Sequence, residues 1–226
     1  MARINSYSII ALVLLFILGA CNNQGNSITN TEVIETPQDS PRVGGPCDTC
    51  ELIYIGMPQN INAIDTSEAW HESEGQRLVV TGTVYKQDKT TPAVNIILYY
   101  WQTDHNGVYP EKAGLNPKAR RHGYLRGWVK TDEKGKYTIY TIRPGSYPNS
   151  QNPQHIHMLV KEPRHKNEYY IDDIVFEDDP LLTEQIRNRL EQRGGNGVVS
   201  PVTRDGVQQV TRDIILGLNI PDYPVK

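Results

Sequence analysis

Cysteine is scarce, with three in 226 residues, and the scarcity removes several kinds of chemistry at once. Cys47 and Cys50 make one C-x-x-C in Pro46-Cys47-Asp48-Thr49-Cys50, and no second pair exists to complete a four-thiolate zinc site. No thioredoxin-like βαβ pattern surrounds them, which leaves a structural disulfide or a free thiol pair near the start of a domain. Excess positive charge is missing too. A net charge of −3 argues against a nucleic-acid partner, because phosphates must be neutralised by a basic excess. His122 beside Arg120 and Arg121 reads as a small basic cluster only. Internal repeats are absent.

The apolar run over residues 9–18, behind Arg3, is too short for a spanning helix and reads as an export signal. Leu18-Gly19-Ala20-Cys21 is similar to a bacterial lipoprotein box, in which Cys21 would be lipidated and become the mature N-terminus; a simple cleaved signal with an incidental cysteine is the alternative. Both readings take the protein out of the cytoplasm, and the first anchors it to a membrane of the bacterial envelope. The expected organisation is a signal segment over 1–21, a flexible tether over 22–45 rich in Asn, Ser, Thr, Pro and Gly, and one domain over 46–226.

Within that domain, strand-like runs succeed one another at residues 77–85, 93–101, 124–131, 136–142, 155–161 and 169–176, divided by turn signals such as Asp132-Glu133-Lys134-Gly135 and Pro144-Gly145. The succession predicts an all-β fold, an antiparallel β-sandwich. One helix is expected near residues 181–192, where Leu182, Ile186 and Leu190 recur at helical spacing and Gly194-Gly195 follows as a stop.

The chemistry concentrates in His155-Ile156-His157. In a strand, residues i and i+2 share a face, so both imidazoles point one way and Ile156 points into the opposite layer. Tyr147, before Pro148, and Tyr109, after Asp104 to Val108, offer phenol oxygens that could join them. Two phenolates with two imidazoles suit a hard, electron-poor ion such as ferric iron, whereas zinc and copper sites usually recruit thiolates or more histidines. With thirteen tyrosines in the chain, the type alone singles out none of them.

The wider pattern resembles the intradiol ring-cleavage dioxygenases, non-haem ferric enzymes that open catechols between their two hydroxyl-bearing carbons. The resemblance rests on Gly82-Thr83-Val84-Tyr85, Pro92-Ala93, Trp101-Gln102, Asp104 to Tyr109, Leu125-Arg126-Gly127, Thr131-Asp132 to Tyr137, Thr141 to Pro148 and His155-Ile156-His157, over residues 77–180. It implies an immunoglobulin-like sandwich and Fe(3+) held by Tyr109, Tyr147, His155 and His157. It also implies a catechol-type substrate with dioxygen as co-substrate, a muconate-type diacid as product, and Tyr147 as the ligand displaced by substrate and the acceptor of one of its protons. Two positions depart from the family. Asn152 stands where an arginine would stabilise the charged substrate, and Asp173 stands where a glutamine is expected near the strand ending in Phe176-Glu177. Losing one donor aimed at a developing charge costs about 3 kcal/mol in such reactions, so Arg143, Arg126 and Arg121 are candidates to compensate. A protein that binds iron or a catecholate without turnover is the alternative function.

Overall fold

The computed structural model describes residues 42–72 and 74–224. The signal segment over 1–21, with Cys21, and most of the tether lie outside the described residues. The tether's last four residues are a correction: Val43 is buried in the core, Gly44 N–H donates to Pro221 O at 2.7 Å, and Arg42 pairs with Glu168 at 2.7 Å. Arg42, the first described residue, already belongs to the folded domain, because residues 42–45 find apolar and ionic partners in distant segments.

Among the described residues the strands are β1 (Ile64–Thr66), β2 (Arg77–Tyr85), β3 (Ile97–Gln102), β4 (Arg126–Lys130), β5 (Lys136–Ile142), β6 (His155–Lys161), β7 (Tyr169–Tyr170), β8 (Ile174–Phe176), β9 (Val198–Val199), β10 (Val202–Arg204), β11 (Val207–Thr211) and β12 (Ile214–Ile215), with one short helix α1 (Glu184–Arg187). They make two sheets, β1-β5-β2-β11-β10 with β12 also on β2, and β4-β3-β6-β8-β9 with β7 also on β6. The fold is an all-β sandwich, as the spacing of strand signals predicts. β2 alternates as a two-faced strand should, with Leu78, Val80 and Val84 buried between exposed or half-exposed neighbours. Those side chains meet Leu98 and Tyr100 of β3 and Ile156, Met158 and Val160 of β6 in the main core.

Three expectations change in detail. The sheets are mixed: β11 with β2, β12 with β2, and β8 with β9 are parallel because the chain after residue 197 returns to add strands that show no clear alternation in sequence, and the short β1, ahead of the expected strands, pairs parallel with β5. The run over 169–176 breaks into β7 and β8 at Asp172-Asp173, where Asp172 N–H donates to Arg193 O. The helix over 181–192 shrinks to one turn. Thr183 caps it, accepting from Ile186 N–H at 3.4 Å, but the Asp172 carboxylate accepts from Gln192 N–H at 2.8 Å and Arg193 N–H at 3.1 Å. Backbone donors that would extend the helix are captured from outside, and a segment this short has little helical stability of its own.

β3 is buried on both faces. Its outward Tyr99 and Trp101 lie with Leu159 beneath a 3₁₀ turn, Cys50–Tyr54, that contributes Cys50 and Ile53. Cys47 and Cys50 form a disulfide, the first of the two states left open by the sequence. His122 corrects the basic-cluster reading. It is buried against Trp101 with ring centroids 4.0 Å apart, bonded through Nδ1 to Tyr99 Oη at 2.8 Å and through Nε2 to Thr49 Oγ1 at 3.1 Å. Burial lowers its pKa to about 3, so it is a neutral packing group.

Candidate metal centre

The alternation of β6 sends Ile156, Met158 and Val160 into the core and leaves His155 and His157 on the outer face of the second sheet. Each ring is fixed from behind. His155 Nδ1 lies 2.7 Å from Pro153 O and His157 Nδ1 lies 3.0 Å from Asp173 Oδ1, so each Nδ1 carries the hydrogen that it donates to an acceptor-only oxygen. Both Nε2 atoms are then left with lone pairs. Trp101, opposite His157 in the β3–β6 register, stacks on it with centroids 4.7 Å apart.

The phenols arrive on loops. Asp104 accepts from Asn106 N–H and Val108 N–H through Oδ1, which curls the chain before Tyr109. Gly145 N–H donates to Asp104 O at 2.7 Å and Thr103 Oγ1 donates to Gly145 O at 2.8 Å, tying that curl to the loop carrying Tyr147. Two glycines allow the approach. Gly107 has φ 81°, and a Cβ there would sit 1.8 Å from Ser146 O; a Cβ on Gly145 would sit 2.5 Å from Gly107 N.

The four functional atoms meet. Tyr109 Oη and Tyr147 Oη are 2.6 Å apart, Tyr109 Oη and His157 Nε2 3.0 Å, and Tyr147 Oη and His155 Nε2 3.0 Å. Tyr147 Oη to His157 Nε2 and His155 Nε2 to His157 Nε2 are both 3.2 Å. Two unprotonated imidazole nitrogens facing each other at that distance repel unless something positive lies between them. Donor atoms around a four-coordinate first-row ion, with bonds of about 2.0–2.1 Å, stand about 3.3 Å apart. The four separations that involve a histidine nitrogen, at 3.0–3.2 Å, come close to that spacing, so the residues present fit a metal ion once the hydrogen-bonded phenol pair parts, and the oxygen-rich half of the donor set favours a hard one. Asp173 lies within metal-binding range of both histidines. Its Oδ1 is engaged by the far nitrogen of His157, so it orients that ring and strengthens it as a donor. Burial works to raise the Asp173 carboxyl, but the neighbouring His157 ring outweighs it and holds the group below the usual carboxylate range. Burial raises both phenols and lowers His155.

A cavity of about 640 Å³ opens beside this cluster. Tyr147, His155, His157, Asp173 and Asn152 line it, with Pro153, Tyr170, Ile186, Arg189 and Leu190 among the other walls, while Tyr109 stays behind. Asn152 is exposed, at the cavity edge, its N–H donating to Ser150 Oγ. The three arginines named from sequence are not among the lining residues. Arg143 is held by Gln154 and Asp178 over the Phe176 ring, Arg126 by the carbonyls of Leu52 and Ile55, and Arg121 by Asp48. Arg189, Tyr170 and the Trp101 stack were not singled out as site features in the sequence. Only the β3–β6 register, which no local pattern specifies, brings Trp101 to His157.

Two histidines and two tyrosines converge at the outer face of a two-sheet β fold, an arrangement that a metal ion would fit, and comparison with known proteins gives the family. The family model described as Dioxygenase matches residues 54–194, and the chain belongs to the intradiol ring-cleavage dioxygenases. It is 31% identical over 121 residues to the protocatechuate 3,4-dioxygenase beta chain of Burkholderia cepacia, covering 49% of each chain. Over 105 residues it is 30% identical to catechol 1,2-dioxygenase 2 of Acinetobacter lwoffii, covering 39% of this chain and 36% of that one. The chain thus spans half or less of the length of these curated relatives. Among solved structures it is similar to the dioxygenase domain of a dioxygenase carbohydrate-binding protein fusion from Streptomyces sp. SirexAA-E, with TM-score 0.51, 21% identity, and coverage of 71% of this chain and 91% of that one. Catechol 1,2-dioxygenase from Acinetobacter sp. ADP1 gives TM-score 0.50 at 19% identity, covering 78% and 62%. At these identities the structural likeness speaks for the fold.

Proposed function

We propose that the chain is a ferric intradiol dioxygenase that opens a catechol-type ring to a muconate-type diacid. The observation that carries this reading is the meeting of two phenol oxygens and two lone-pair nitrogens at the wall of the cavity. Tyr109, Tyr147, His155 and His157 would hold Fe(3+). When bound there, the ion would supply a Lewis acid that accepts both catechol oxygens and draws electron density from the ring, opening it to reaction with dioxygen. Tyr147 borders the cavity and Tyr109 does not, so Tyr147 is the phenol that an incoming catechol reaches. Its oxygen would take one of the two catechol protons. Tyr109, His155 and His157 would stay in place, the last steadied by Asp173 behind it and Trp101 beside it.

A second reading, binding of iron or a catecholate without turnover, is supported by Asn152 and Asp173, which stand where the resemblance implies an arginine and a glutamine, and by Arg143, Arg126 and Arg121 being engaged elsewhere. Oxygen uptake by the iron-loaded protein with a panel of catechols separates the two. Uptake with formation of a ring-opened diacid supports the enzyme; catechol binding without uptake supports the second. In the enzyme, Asn152→Arg is expected to raise turnover of simple catechols by roughly one to two orders of magnitude.

Attachment to the bacterial envelope through lipid on Cys21 belongs to the same proposal, supported by the Leu18-Gly19-Ala20-Cys21 sequence. A Cys21→Ser chain should move from the membrane fraction to the soluble one. Unchanged partitioning would contradict it.

A further inference from the structure

Arg212, between β11 and β12, is the largest side chain that is fully buried among the described residues. Taking a guanidinium out of water is costly, and a paired carboxylate is the usual offset. Here the guanidinium donates to backbone carbonyls and to no carboxylate among the described residues. Nη1 reaches Asn196 O at 2.8 Å, Asp213 O at 2.9 Å and Gly194 O at 3.4 Å, and Nη2 reaches Arg193 O at 3.4 Å. Nε has no partner among the same residues. A buried donor left unpaired lowers stability, so what the arginine adds over an apolar side chain of similar length is the gathering of these carbonyls.

The backbone of Arg212 is tied to the first sheet, its N–H donating to Thr81 O at 2.8 Å and its carbonyl accepting from Tyr137 Oη at 2.6 Å. From that anchor the side chain reaches a turn over residues 193–197, which bends through Gly194 and Gly195 at φ 69° and 102°. The turn grips the connection between β7 and β8. Arg193 O, already held by Arg212, accepts from Asp172 N–H at 3.0 Å, and Gly197 O accepts from Val175 N–H at 3.0 Å. Asp173 lies between those two hydrogen bonds, and its carbonyl is so close to the turn that a Cβ on Gly197 would sit 2.2 Å from it. The carboxylate of the same residue fixes His157 through Nδ1 at 3.0 Å. Contacts thus run unbroken from Arg212 through the turn and Asp173 to a histidine of the candidate metal centre.

We infer that Arg212 is a positioning residue of the metal centre: by gathering the carbonyls of the 193–197 turn it sets the place of Asp173 and, through Asp173, the direction of the His157 ring. Its effect on metal binding rests on the proposed function, whereas its effect on the His157 ring does not. None of its hydrogen bonds goes to a tyrosine or histidine of the centre, so it acts only through the turn. Without it the four carbonyls lose their common donor, the turn relaxes away from Asp173, and the ring loses the fixed partner that orients it and strengthens it as a donor.

The test sets Arg212→Met, which keeps the buried length and removes the donors, beside Asp173→Ala, the double variant, and Val80→Ala, a main-core cavity outside this path. In the metal-free protein carrying isotope-labelled histidine, NMR should show the Nδ1–H that His157 donates to Asp173, identified by its loss in Asp173→Ala. Arg212→Met should lose or broaden that signal, and Val80→Ala should keep it. Iron affinity, from chelator competition, should fall about 10-fold in Arg212→Met, but less than about 2-fold when the same substitution is made in Asp173→Ala. Equal falls in the two backgrounds, or a wild-type Nδ1–H signal in Arg212→Met, would overturn the inference and leave Arg212 a stabilising residue only. Should Arg212→Met fail to fold, Arg212→Lys, whose single nitrogen cannot span four carbonyls, and Gly197→Ala, which presses on Asp173 from the same turn, take its place with the same outcomes required. If the wild type binds no iron, the ferric reading falls and the NMR result alone decides the inference.

Discussion

The histidine half and the tyrosine half of the candidate centre are built by opposite means. His155 and His157 sit on β6, whose two-residue period aims both rings outward and whose pairing with β3 and β8 fixes their height. Tyr109 and Tyr147 sit on loops, placed by Asp104, Gly107 and Gly145 rather than by any ladder. A strand gives position as a by-product of sheet formation. A loop must reach it through specific turn chemistry, and gains in return the freedom to let one phenol go. On the proposed function, the comparison makes the fixed pair the anchors and the cavity-facing phenol the group that would exchange with a ligand.

Breaking the anchored half should have the largest effect. His157→Ala removes a nitrogen within 3.2 Å of both phenol oxygens, and the variant should fold with an unchanged melting profile yet retain no measurable iron after loading and desalting. Next comes the support of the loop half. Gly107→Ala forces a side chain into a positive-φ position and against Ser146 O. It should lower stability by about 1–3 kcal/mol in denaturant unfolding and weaken iron binding by parting the two loops. Asp173→Ala, which keeps all four metal-binding atoms but frees the His157 ring, should reduce iron affinity by about 10–100-fold in a chelator competition. Tyr147→Phe sharpens the contrast, since iron should stay bound while catechol association, followed by stopped-flow absorbance, slows.

The smallest expected effect on the site is that of Cys47→Ser with Cys50→Ser. Loss of this short cross-link should cost about 2 kcal/mol of stability with iron content unchanged, because the disulfide packs against Trp101 and Tyr99 and supplies no ligand. Loss of iron from a folded double variant would show that the outward aromatic cluster, and not β6 alone, holds His157 in place.

The same contrast explains what was legible in the sequence. β2, β5 and β6 keep the bounds expected of them, since each carries its own alternation or turn signal. His155 and His157 could be placed on one face from spacing alone. Nothing local distinguishes Tyr109 or Tyr147 from the other tyrosines; their place came from the family resemblance, and their meeting depends on two glycines contacting loops nearly 40 residues apart, as with Gly107 and Ser146. The strands after residue 197 escaped notice because β9 and β12 are two residues long and β10 is exposed throughout. Helical spacing at Leu182, Ile186 and Leu190 misled because Asp172, distant in sequence, decides where the segment's backbone hydrogen bonds go. His122 likewise looked basic beside two arginines, although a stacked tryptophan and burial keep it neutral.

The central claim is that Tyr109, Tyr147, His155 and His157 together hold a ferric ion. The most direct measurement is the visible absorption spectrum of the protein loaded with iron, with metal content determined on the same sample. The account predicts one iron per chain and a phenolate-to-iron charge-transfer band that disappears in the Tyr109→Phe, Tyr147→Phe double variant. A folded protein that binds iron without that band, or keeps the band in the double variant, would contradict it.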